Sequence, residues 1–127
     1  MTRRPPPPSS PAPTTAQLHG ATFDLVAPAR ETCRRYRLEF PDEEGRYGDA
    51  GMAWCVHDNQ HILSWAAMAV EYDLGMERQL EWLADVLRNR DFPVARLARN
   101  LEIAADVIED PALAERLRAG AGFVREL

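Results

Sequence analysis

His57 and His61 stand four apart in the run Cys55-Val56-His57-Asp58-Asn59-Gln60-His61. On a helix that spacing is one turn, so two imidazole nitrogens can approach one metal ion from the same side. Asp58 and Cys55 are the other side chains of the run able to ligate, which makes Cys55, His57, Asp58 and His61 the candidate metal set. A second chemistry needs no metal. Trp54, Asp58, His61 and Trp65 recur at steps of three and four, so they share a helix side and can line an aromatic ligand pocket. These residues specify no cofactor. The structural role of the same groups is a polar pair in the core: Asp58 beside His61 fixes helix register and raises the histidine pKa through its negative charge. That role is the first expectation and the pocket the second. A Cys55–His57 nucleophile and base pair is excluded, because neighbours two apart on a helix do not face each other.

The pattern His57-Asp58-x-x-His61 resembles the H-E-x-x-H motif of thermolysin-like zinc metallopeptidases. The resemblance implies zinc on His57 and His61, Asp58 in the place of the general base, Glu81 as third ligand and Asp85 behind it. The residues themselves argue against catalysis. Aspartate is one methylene shorter than glutamate, and Glu81 sits with Glu77 and Asp85 on a charged outer face. His57 lies outside the main apolar arc. No catalytic residue is assigned. A second stretch, Leu97-Ala98-Arg99-Asn100-Leu101-Glu102-Ile103-Ala104, resembles the core of DNA-binding helix-turn-helix modules. Glu102 stands where the turn favours glycine, and Ala104 cannot cap a following helix.

The elements that must position these groups read as helices. Val26, Ala29, Cys33, Tyr36 and Phe40 form one apolar stripe, predicting a helix over 28–38 that ends at Pro41 and the acidic run from Asp42 to Gly45. Asp49 is the expected N-cap of a central helix over 49–72, with Gly75 as its left-handed stop. A third helix spans 76–90, and Asp91 before Pro93 signals the start of a fourth over 94–108. Asp110-Pro111 starts a short fifth that Gly120 and Gly122 break after 118. No strand is expected. Residues 1–15 hold six of the ten prolines and read as a disordered, solvated tail.

The 127 residues suit one domain, here 16–127, and 46% apolar residues suit a globular one. The net charge of -5 disfavours nucleic acid and anionic membranes as partners. The longest apolar run, Trp65 to Val70, is far too short to span a bilayer, and two cysteines read as reduced thiols, so the cytoplasm is the expected compartment. The expectation is an all-α protein, an up-and-down bundle of four main helices plus a short C-terminal one. Its expected function is a non-catalytic regulatory or protein-interaction module. Ile103 and Val107, off the main stripe, would meet a protein partner or a second copy. The alternative is metal or cofactor binding through His57-Asp58-x-x-His61.

Overall fold

The structure, a computed structural model, describes residues 6–127. The first five residues of the expected tail lie outside the described residues. In chain order the elements are β1 (Thr15–Leu18), β2 (Ala21–Asp24), α1 (Val26–Glu39), α2 (Asp42–Tyr72), α3 (Glu77–Arg88), α4 (Val94–Val107) and α5 (Pro111–Arg125). The chain is mostly helical, as expected, with one addition. Strands β1 and β2 pair antiparallel, Thr15 opposite Asp24 and Leu18 opposite Ala21. Both residues of their two-residue turn, His19 and Gly20, have positive φ, as a tight hairpin with right-handed strand twist requires. Leu18 is buried, and Ala16 and Phe23 pack against the core. Strands of four residues offer only two inward positions each, too few for alternation to show in the sequence.

Helix α2 begins seven residues earlier than its expected cap, but Gly48 interrupts it at φ 65°, ψ -155°. That conformation is essentially confined to glycine. From Asp49 to Tyr72 the helix is the continuous rod expected, and the turn ahead of Gly48 carries Glu43 into the core. Its left-handed stop is Asp73 (φ 51°, ψ 53°), not Gly75. Asp91, expected to cap α4, instead takes a positive φ of 58°, and α4 enters from Pro93 without a side-chain cap. Asp110 does cap α5, its Oδ1 accepting the Leu113 N–H at 2.9 Å.

Helix α5 runs to Arg125, straight through the two glycines expected to break it. Gly120 is buried, and a Cβ there would meet Leu80 Cδ1 at 2.9 Å. Glycine therefore lets α5 close on α3, and that packing offsets a helix-propensity loss of about 1 kcal/mol.

Helices α4 and α5 form the closest pair, and α1 packs on both α2 and α4. Their shared core includes Ile62 and Leu63 of α2, Leu80 of α3, Leu101 of α4, and Leu113 and Leu117 of α5. Short links between α2, α3 and α4 led to an expectation of antiparallel neighbours. Helix α3 rests on α5 and α4, and a cavity lined by its Leu83 and Leu87 lies between it and α2. Ile103, expected to face a partner, is buried within the chain, and Val107 is half-buried. Among the described residues no helix is long and apolar enough to cross a membrane.

Candidate functional site

Two sides of the α2 rod carry the candidate residues, and they separate the groups that the sequence placed together. Trp54, His57, His61 and Trp65 form a ladder of rings, with centroids 5.2, 4.8 and 6.0 Å apart in turn. Asp58, Cys55, Asn59 and Ile62 turn instead toward the gap between α2 and α3. Trp54 stands where the two sides meet and takes part in both.

The expected Asp58–His61 pair does not form. Asp58 Oδ1 lies 3.5 Å from His57 Nδ1, at the outer limit of a hydrogen bond, while His61 stands between the His57 and Trp65 rings. Three residues span about 300° of helix, and the 60° that remain are enough to put His61 in the ladder and Asp58 in the gap. The consequence for His61 is also reversed. Burial, and then the charge of His57, hold its imidazole below the ordinary value. The candidate metal set is divided in the same way. His57 and His61 stand one turn apart, but Cys55 and Asp58 face elsewhere, and among the described residues no three His, Cys, Asp or Glu side chains are grouped to hold a metal ion. Glu81 and Asp85 are exposed on α3.

The gap itself is a cavity of about 450 Å³, within the range of small-molecule sites. Ile62, Leu83, Leu87 and Leu97 give it apolar walls, and Tyr36, Tyr47, Trp54 and Phe92 give it aromatic ones. Its polar groups are organised by two buried networks. Asn59 Nδ2 donates to Asn100 Oδ1 at 3.0 Å, and Asn100 Nδ2 donates back to Asn59 Oδ1 at 2.8 Å. Asn59 Nδ2 also reaches the Cys55 carbonyl at 3.0 Å. In the second network, Glu43 Oε2 accepts from the Tyr36 hydroxyl at 3.0 Å and from Arg96 Nη1 at 2.7 Å. The Arg96 guanidinium lies over the Phe40 ring, 4.4 Å from its centroid. Burial first, and then the Glu43 charge, push the Tyr36 phenol far above its ordinary value, so it serves as a donor.

Asp58 is the acid without such a network. Burial raises its carboxyl pKa, opposed only by the weak His57 contact and by the charges of His57 and Arg90. The Arg90 guanidinium lies over the Trp54 ring at 4.9 Å, so a cation already occupies the indole face at this wall. Cys55 lines the cavity too. Its hydrogen bond with Cys33, and then its burial, raise the thiol well above its ordinary value, the opposite of what a nucleophilic thiolate needs. Beside the same wall, Arg37 Nε and Nη2 and the Tyr47 hydroxyl are buried with no hydrogen-bond partner among the described residues. A Cβ on Gly51 would stand 3.0 Å from that Arg37 Nη2.

Of the sequence candidates, Trp54, Cys55 and Asp58 line the cavity, while His57, His61 and Trp65 do not. The sequence reading missed Glu43, Asn59, Arg96 and Asn100. The amides carried a signal: Asn59 falls on the arc of Cys55 and Ile62, and Asn100 falls between Leu97 and Leu101 in an apolar stripe. Such a position obliges an amide to find a buried partner. The carboxylate–arginine pair carried none, since 53 residues separate Glu43 from Arg96.

Comparison with models of protein families, with curated proteins and with solved structures finds no match to this chain.

Proposed function

We propose that this chain is a non-catalytic ligand-binding module whose ligand is a small organic cation with a flat apolar body, held in the cavity between α2, α3 and α4. The observation that carries this reading is Asp58: a half-buried carboxylate on the cavity wall whose one side-chain contact, to His57 Nδ1, is 3.5 Å long. A carboxylate withdrawn from water is costly, and a ligand ammonium or amidinium would supply a closer counter-charge than His57 and Arg90 do. Because Arg90 already covers the Trp54 ring, the ligand's positive charge is assigned to Asp58 alone. The apolar and aromatic walls take the remainder of the molecule. The Glu43 and Asn59–Asn100 networks hold the walls rather than react, which is why no turnover is proposed.

The test is a titration with 2-phenylethylamine and its neutral isostere 2-phenylethanol, read by tryptophan emission and melting temperature. The amine should bind saturably and more tightly than the alcohol, and Asp58→Asn should remove that preference, a loss of about tenfold or more. No saturable binding by either probe overturns the reading. Equal binding of the two removes the cation.

A second reading is a protein-interaction module. Its support is Trp82, which is 60% exposed on α3, because large exposed aromatics are enriched where proteins meet. Light scattering on the purified chain, with and without Trp82→Ala, tests self-association; a monomer in both cases counts against a second copy.

A further inference from the structure

Proline has no backbone N–H, so a proline-rich segment cannot join a sheet or helix ladder, and its carbonyls must find donors elsewhere. In this chain they find side chains of α2. Trp54 Nε1 donates to the Pro6 carbonyl at 2.5 Å, and Gln60 Nε2 donates to the Pro13 carbonyl at 2.9 Å. The Thr14 carbonyl accepts from Leu25 N–H at 2.9 Å, anchoring the end of the segment at the start of α1. Residues 6–14, expected to stand free in solvent, are therefore fastened at three points. Pro8, Ala12 and Pro13 are half-buried, and Pro6 forms part of the cavity wall.

We propose that α2 carries a docking groove for an extended proline-rich peptide, running from Trp54 to Gln60 about 120° around the helix and filled in this chain by its own residues 6–13. The chemistry is specific to that class of occupant. An indole N–H is donor only, and a polyproline backbone is acceptor only, so each supplies what the other lacks. A polyproline segment is already extended, so it has little backbone entropy left to lose on docking. The geometry closes as well. Seven residues of fully extended polyproline cover about 22 Å, whereas six residues of helix rise about 9 Å. The segment bends at Ser10, and both donors lie on long side chains, so the two lengths are reconciled. The occupant is a proline-rich segment, present here as a tethered ligand that any free peptide must displace. This inference does not rest on the cavity ligand, since the hydrogen bonds that carry it belong to Trp54 Nε1 and Gln60 Nε2.

The test uses the full-length chain and a fluorescein-labelled peptide of residues 6–14. Replacing Pro6, Pro7 and Pro8 together by glycine loosens the tethered segment without shortening it. Fluorescence anisotropy should show saturable binding of the peptide to this loosened chain. Binding to the unaltered chain should be about tenfold weaker or more, because the tethered segment competes at roughly millimolar effective concentration. Adding Trp54→Phe to the loosened chain should weaken binding about fivefold to tenfold, and Gln60→Leu should weaken it in the same direction. The Gln60→Leu result stands alone should Trp54→Phe fail to fold. No saturable binding to the loosened chain, or binding unchanged by both substitutions, overturns the groove. A peptide with its prolines replaced by alanine should bind more weakly; equal binding also overturns it.

Discussion

Asn59 of α2 and Asn100 of α4, buried and 41 residues apart in the sequence, exchange two hydrogen bonds, 3.0 and 2.8 Å long. Each amide satisfies the other, so neither is tolerable alone. Asn100→Leu should destabilise the chain by about 1–3 kcal/mol, because Asn59 then keeps an unsatisfied carbonyl in the core. The double variant Asn59→Leu/Asn100→Leu should lose clearly less than the sum of the two single variants, as urea denaturation of the four chains would show. Additive losses would mean that the amides act independently.

Glu43 and Arg96 make a similar argument with charge. The Glu43 side chain is only 6% exposed, and its Oε2 carries both the Arg96 and the Tyr36 bonds. Arg96→Met leaves that carboxylate buried and should cost about 3–5 kcal/mol, whereas Tyr36→Phe should cost about 1 kcal/mol. A thermal melt that ranks the two in the opposite order would relocate the weight of the network.

His61 and Asp58 give opposite pH dependences. The lowered imidazole pKa means that the folded chain binds fewer protons than the unfolded one from the ordinary value of 6.5 downward, so stability is lost as pH falls below 6.5. The raised Asp58 pKa means that the folded chain binds more protons above the ordinary value of 3.8, so stability falls as pH rises through that window. His61→Gln should flatten the acid loss that begins near 6.5. Asp58→Asn should stabilise the chain at neutral pH, with the gain fading toward 3.8. Urea melts from pH 4 to 8 on the three chains would test both signs.

The glycines of α5 should part company. Gly122 is exposed with nothing within 4 Å of its built Cβ, so Gly122→Ala should stabilise the chain by about 0.5–1 kcal/mol through helix propensity. Gly120→Ala gains the same propensity but presses on Leu80 Cδ1, a side chain in the packed core, and overpacking there costs about 1–3 kcal/mol. The net should be destabilising by about 1 kcal/mol. Calorimetric melting of the two single variants would show whether their shifts differ in sign.

What the chain order alone determined is whatever depends on neighbours within a turn or two. The continuous rod from Asp49 to Tyr72, the apolar stripe of α4 and the Asp110-Pro111 start of α5 are all local, because 3.6-residue periodicity and capping are local physics. Trp54 and Asp58 were legible as pocket residues for the same reason: they repeat at one-turn spacing on a half-apolar helix. Only the tertiary structure decided which groups meet across helices. Asn59 needed Asn100, Glu43 needed Arg96, and Gly120 needed the Leu80 side chain, each pair set by how helices dock rather than by spacing along the chain. The cavity between α2, α3 and α4 and the fastening of residues 6–14 on Trp54 and Gln60 belong to that same class. Contacts at such separations depend on the summed shape of several helices, and no single segment contains it.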